Sequence, residues 1–117
     1  MTKDYYIKKS LKFIKELKLY KNSLEYYKGI SPTDNLSSPK YEELTRQIRS
    51  LTHRICAIEK ALSFLSDTER EIIDKMYISC EMSADDLCGE IPLERSSIYR
   101  YRKSALEKIS LSLFGRK

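Results

Sequence analysis

The pattern of apolar and polar positions changes character at Ser66. From Lys3 to Lys28 there is no Gly or Pro, and Tyr6, Ser10, Phe13, Leu17, Tyr20, Leu24 and Tyr27 recur at alternating steps of four and three. That spacing is a heptad seam with one polar interruption, at Ser10, and it predicts a single helix ending at Gly29, a residue suited to a helix C-terminus. Turn formers fill ISPTDNLSSP, so a loop is expected over about 29–39. Ser38 and Pro39 then open a second helix, because Pro at the first helical position loses no hydrogen bond. Tyr41, Leu44, Ile48, Leu51, Ile55, Ile58, Leu62 and Leu65 keep the three-four spacing without a miss. Two helices of this kind, each roughly 37 Å long at about 1.5 Å per residue, are expected to fold back as an antiparallel, coiled-coil-like hairpin over residues 1–65.

Beyond Ser66 the elements shorten. Ser66, Asp67, Thr68 and Glu69 form a capping-box sequence, in which the Ser and Glu side chains satisfy each other's orphan backbone N–H groups at a helix start. The helix it opens carries Ile72, Ile73, Met76 and Tyr77 on its apolar face. Ser83 to Asp86 repeats the device in weaker form and starts a short helix bearing Leu87 and Cys88, which Pro92 stops because its ring opposes helical continuation. A final helix is predicted from about Glu94 to Leu113. Its inner face is Ile98, Tyr101, Ala105, Leu106 and Ile109, which leaves Arg95, Ser96, Tyr99, Arg100 and Lys103 outside. A short helix, a tight turn and a longer helix with a basic outer face make the pattern of a helix-turn-helix, here over residues 66–117 of an all-α chain.

Charge sharpens this division. Residues 2–30 hold eight Lys against three acids, residues 93–117 hold seven Lys or Arg against two Glu, and residues 67–92 hold eight acids against two basic residues. A nucleic-acid reader concentrates positive charge on the element that approaches phosphate, and the acidic run from Asp67 to Glu90 is then expected on the opposite side. Lys8, Lys9, Lys12, Lys15 and Lys18 either add phosphate contacts or keep a long helix hydrated. Cys56, Cys80 and Cys88 lack C-x-x-C spacing and are expected as reduced, buried, small apolar residues. No apolar run reaches the length of a membrane span and the first ten residues are too polar for a signal peptide, so a cytoplasmic, nucleoid-associated protein is expected. His53 is the only histidine, and there is neither a Gly-rich phosphate loop nor a nucleophile motif. Neither catalysis nor a metal or cofactor is expected.

The second half of the chain resembles a known family. Leu65-Ser66-Asp67-Thr68-Glu69-Arg70-Glu71-Ile72-Ile73 is similar to the opening of the promoter-reading region 4 of sigma-70-type factors. Residues 87–100, LCGEIPLERSSIYR, resemble the helix-turn-helix of that region, and Ser104-Ala105-Leu106-Glu107-Lys108-Ile109 resembles the close of its recognition helix. The likeness spans residues 62–114, with two departures: Pro92 stands where the family's turn usually has Gly, and Glu94 where Ser or Thr normally caps the helix. A long helical N-terminal extension is similar to the RinA-like and ArpU-like regulators of phage late genes. The resemblance implies a phage or prophage activator that reads the major groove of double-stranded DNA, with RNA polymerase as a further partner.

Side chains on the first two turns of a recognition helix reach base edges, while later and flanking ones meet phosphate. By this rule and the resemblance, Arg95, Ser96, Tyr99 and Arg100 are the candidate base readers, and Ser97, Arg102 and Lys103 the candidate phosphate contacts. Two other readings fit the same elements: a DNA-packaging protein of the small terminase kind, built as a ring, and a coiled-coil interaction module. A seam used for self-association would make a homodimer through the N-terminal helices.

Overall fold

The computed structural model describes residues 3–29 and 39–115; the expected loop at 30–38 and the Tyr41 side chain lie outside the described residues. All regular structure among the described residues is helical: α1 (Lys3–Lys15), α2 (Leu17–Lys28), α3 (Pro39–Ser63), α4 (Asp67–Ile73), α5 (Ala84–Cys88) and α6 (Arg95–Phe114). A π-helical turn, Asp74–Ile78, prolongs α4. None of these helices is long and apolar enough to cross a membrane.

The single helix expected from Lys3 to Lys28 is instead two, parted at Glu16, whose φ of −90° and ψ of −1° leave helical geometry. The break is local, since Glu16 N–H still donates to Lys12 O at 3.0 Å and Tyr20 N–H to Glu16 O at 2.9 Å. With no Gly or Pro nearby, its cause is tertiary: α1 packs on α6 and on the π turn, whereas α2 lies along α3. Ile14 stands off the heptad seam yet is fully buried, because α1 has a second neighbour to cover. Ser10, the polar residue of the seam, is also buried, and its hydroxyl donates to Tyr6 O at 2.8 Å, so it carries no unpaired polar atom into the core.

Two apolar clusters hold the helices together. The larger joins Ile14, Leu17 and Tyr20 with Ile55, Ile58 and Leu62 of α3, and with Ala105, Leu106 and Ile109 of α6. It therefore draws on both sides of Ser66. The smaller collects Ile72, Ala84, Leu87, Ile91 and Ile98 beneath the start of α6. Each Ile or Leu among them contributes about 1.5–3 kcal/mol when fully buried. Seam residues Leu44, Ile48 and Leu51 are only half-buried, so α3 is anchored mainly by its C-terminal half.

Both capping boxes form. Glu69 N–H donates to Ser66 Oγ at 3.2 Å and Ser66 N–H to Glu69 Oε1 at 2.8 Å. Asp86 N–H donates to Ser83 Oγ at 3.2 Å, with a longer return bond of 3.4 Å. Between the π turn and α5 the chain reverses through Glu81, at φ 50°, and Met82 N–H closes the reversal on Lys75 O at 2.9 Å. The cysteines depart from expectation: all three are exposed. Ile55 and Ile58 take the core side of α3 and Leu87 that of α5, which turns Cys56 and Cys88 outward.

Candidate nucleic-acid interface

The start of α6 is set by backbone geometry rather than by a capping side chain. Glu94 is extended, at φ −72° and ψ 155°, and makes no side-chain cap, while its carbonyl accepts from Ile98 N–H at 3.0 Å. The link from α5 is tightly bonded: Glu90 and Ile91 N–H groups donate to Leu87 O at 2.9 and 2.8 Å, and Leu93 N–H reaches over Pro92 to Ile91 O at 2.7 Å. Ile91 is buried in the smaller cluster, so the link is pinned from below as well.

On this base the first two turns of α6 present one polar face. Arg95, Ser96, Tyr99, Arg100 and Lys103 are all exposed, and Ile98 on the other side is completely buried. Tyr99 keeps 44% of its surface accessible, a large exposure for an aromatic ring. Arg100 lies over its neighbour Tyr101, 5.6 Å from the ring centroid. Ser97 is half-buried at the margin of the face.

Two placements differ from what spacing suggests. Arg102 is half-buried; its Nε donates to the Tyr77 hydroxyl and its guanidinium lies 5.6 Å from that ring's centroid, with Lys15 Nζ 5.8 Å from the same ring. The acidic run is not wholly turned away from the basic row either. Asp85 of α5 pairs with Arg95 at 3.3 Å, because α5 packs across α6 close to its start. Arg95 also reaches Tyr99, with Nη2 3.4 Å from the hydroxyl and the guanidinium 5.6 Å from the ring centroid. The Tyr99 hydrogen bond first, and Asp85 second, raise the Arg95 pKa above its ordinary value.

A residue that spacing assigned only to a cap turns out to hold α6 in place. Glu69 is buried, 2% exposed, and its carboxylate accepts from Lys108 Nζ and Ser104 Oγ, each at 2.7 Å, in addition to Ser66 N–H. Burial alone would raise its pKa. The Lys108 ammonium, the Ser66 backbone and the Ser104 hydroxyl outweigh burial and lower it to about 2, so the group is ionised across the physiological range. The only sequence signal for this clamp is the four-residue spacing of Ser104 and Lys108, which puts both on one face of α6. A second tie joins the α5–α6 link to the π turn, where Lys75 pairs with Glu90 at 2.9 Å and with Glu71 at 3.3 Å.

Among the described residues no group of His, Cys, Asp and Glu is arranged to hold a metal ion. The arrangement offers an exposed, hydrogen-bonding, positively charged helix face whose base is packed in the smaller cluster. Compared with family models, curated proteins and solved structures, the chain matches none of them.

Proposed function

We propose that the chain is a sequence-specific regulator of transcription that reads double-stranded DNA, with α5, its link and α6 acting as a helix-turn-helix. The observation that carries this reading is the exposed row Arg95, Ser96, Tyr99, Arg100 and Lys103 on the first half of a helix whose second half packs one face into the core. A helix of about 10–12 Å diameter fits the major groove, which is about 12 Å wide. Arg95 and Arg100 supply paired donors for guanine O6 and N7, Ser96 a short donor or acceptor, and Tyr99 an apolar ring for a thymine methyl. Lys103 and Ser97 meet phosphate, while Arg102 orients the helix through Tyr77 and reaches the backbone only if that bond opens.

In this reading α4 belongs to the same sigma-like unit, because Glu69 locks it to α6, and the N-terminal helices are a hairpin-like attachment that braces α6 from behind. A phage or prophage activator working in a bacterial cytoplasm alongside RNA polymerase accounts for this combination, and the half-buried stretch of α3 offers a seam for a second copy. The test is selection of bound fragments from random DNA at two salt concentrations. A consensus that survives near physiological salt is the expected result. Binding that yields no consensus and falls steeply with salt would reduce the proposal to nonspecific phosphate attraction.

A further inference from the structure

A cleft lies where α1, α3 and the far end of α6 converge, away from the candidate reading face. It is an open cleft of about 590 Å³, lined by Phe13, Arg46, Arg49, His53, Arg54 and Phe114, over a floor that includes Ile58 and Leu113. That volume is within the range of about 300–1,000 Å³ that binding sites occupy. The floor is apolar: Phe13 and Phe114 stack with ring centroids 5.9 Å apart. The wall is basic, with three guanidinium groups from successive turns of α3, about 12 Å from Arg46 to Arg54 at the helical rise. Among the described residues no carboxylate lines the cleft.

The three arginines are held differently. Arg54 is fixed over two rings, 5.5 Å from the Phe13 centroid and 5.1 Å from that of Tyr20. Arg46 pairs with Glu43 on its own helix. Arg49 is exposed and has no ion pair among the described residues. A basic wall over an apolar floor matches a ligand that offers carboxylates on either side of a large apolar side chain, since guanidinium binds carboxylate through two parallel hydrogen bonds.

We infer that this cleft docks an acidic protein segment carrying an aromatic or leucine side chain, with the apolar group on the Phe13–Phe114 floor and its carboxylates on Arg46 and Arg49. A DNA strand fits less well. Its sugar-phosphate backbone offers no large apolar group to the Phe13–Phe114 floor. The inference stands independently of the proposed DNA reading, because neither the residues nor the ligand chemistry are shared.

Selection of phage-displayed random dodecapeptides on the full chain tests it. Enriched peptides are expected to carry Asp or Glu around a Phe, Tyr, Trp or Leu. A synthetic winner should bind at least about tenfold more weakly to the Arg46→Glu/Arg49→Glu protein, and measurably more weakly to Arg49→Ala, with unchanged melting temperature and DNA affinity. The inference is overturned if no acidic-apolar motif is enriched, or if the winner binds both variants as it binds the parent. It is also overturned if the double variant loses affinity for a DNA duplex while keeping the peptide, which would assign the wall to nucleic acid.

Discussion

The two halves of α6 are one continuous helix with opposite environments. Between Arg95 and Lys103 only Ile98 is fully buried, whereas between Ala105 and Ser110 four of six residues are. The second half is gripped by α1, α3 and α4, which leaves the first half free to present side chains outward without frayed geometry. Most helical stability in proteins comes from tertiary packing, so the exposed turns of α6 are ordered by what is buried further along. The division of labour predicts that substitutions in one half act on stability and in the other on binding.

The largest effect should come from the buried half. Leu106→Ala is expected to lower unfolding stability by about 2–5 kcal/mol, through lost transfer energy and a cavity in the larger cluster. Denaturant titration checks this, and a loss under 1 kcal/mol would mean that the second half is not the anchor. Glu69→Gln comes next, at about 1–3 kcal/mol, because it removes the charge from a hydrogen-bonded buried carboxylate; Lys108 is partly exposed and regains water, which moderates the loss.

The same carboxylate sets a pH dependence. Its folded pKa of about 2 lies below the ordinary 4.5, so its contribution is fully present above about pH 4.5 and is lost as pH falls toward 2. Plotted against pH between 2 and 6, the melting temperature should therefore fall more steeply toward acid for the parent protein than for Glu69→Gln. Parallel curves would show that Glu69 is not held ionised by Lys108, Ser104 and Ser66.

Much of this contrast is legible in the amino-acid order. The period of three and four along α6 marks Ile98, Tyr101, Ala105, Leu106 and Ile109 as inward; Tyr101 is half-buried and the other four are buried. Both capping boxes and the start of α3 at Pro39 follow from side-chain chemistry within a few residues. What sequence hides is the long-range wiring. The break at Glu16 arises because α1 and α2 cover different neighbours, and nothing local marks it. Tyr77 with Arg102, Glu69 with Lys108 and Asp85 with Arg95 are partners brought together only by folding, and the last is an exception to the expectation that acids stand away from the basic row.

On the exposed half, effects move from stability to binding. Arg100→Ala should leave unfolding stability within about 0.5 kcal/mol. It should weaken binding to the selected DNA by about 5- to 150-fold and relax preference at one base pair, as measured by competition against single-base variants. An equal loss on every sequence would reassign Arg100 to phosphate. Asp85→Asn should have the smallest effect and the opposite sign. Releasing Arg95 from its ion pair and removing a negative charge near phosphate is expected to raise DNA affinity about two- to fivefold, more at low salt than at high. A decrease would mean that Asp85 orients Arg95 for the duplex instead of competing with it.

The most direct measurement is to follow backbone amide resonances along α6 as the protein is saturated with its selected DNA duplex. If the exposed half of α6 reads the duplex, the largest changes fall between Arg95 and Lys103, with Ala105 to Ser110 nearly unmoved. Changes centred on α3, or spread evenly along α6, would contradict that reading.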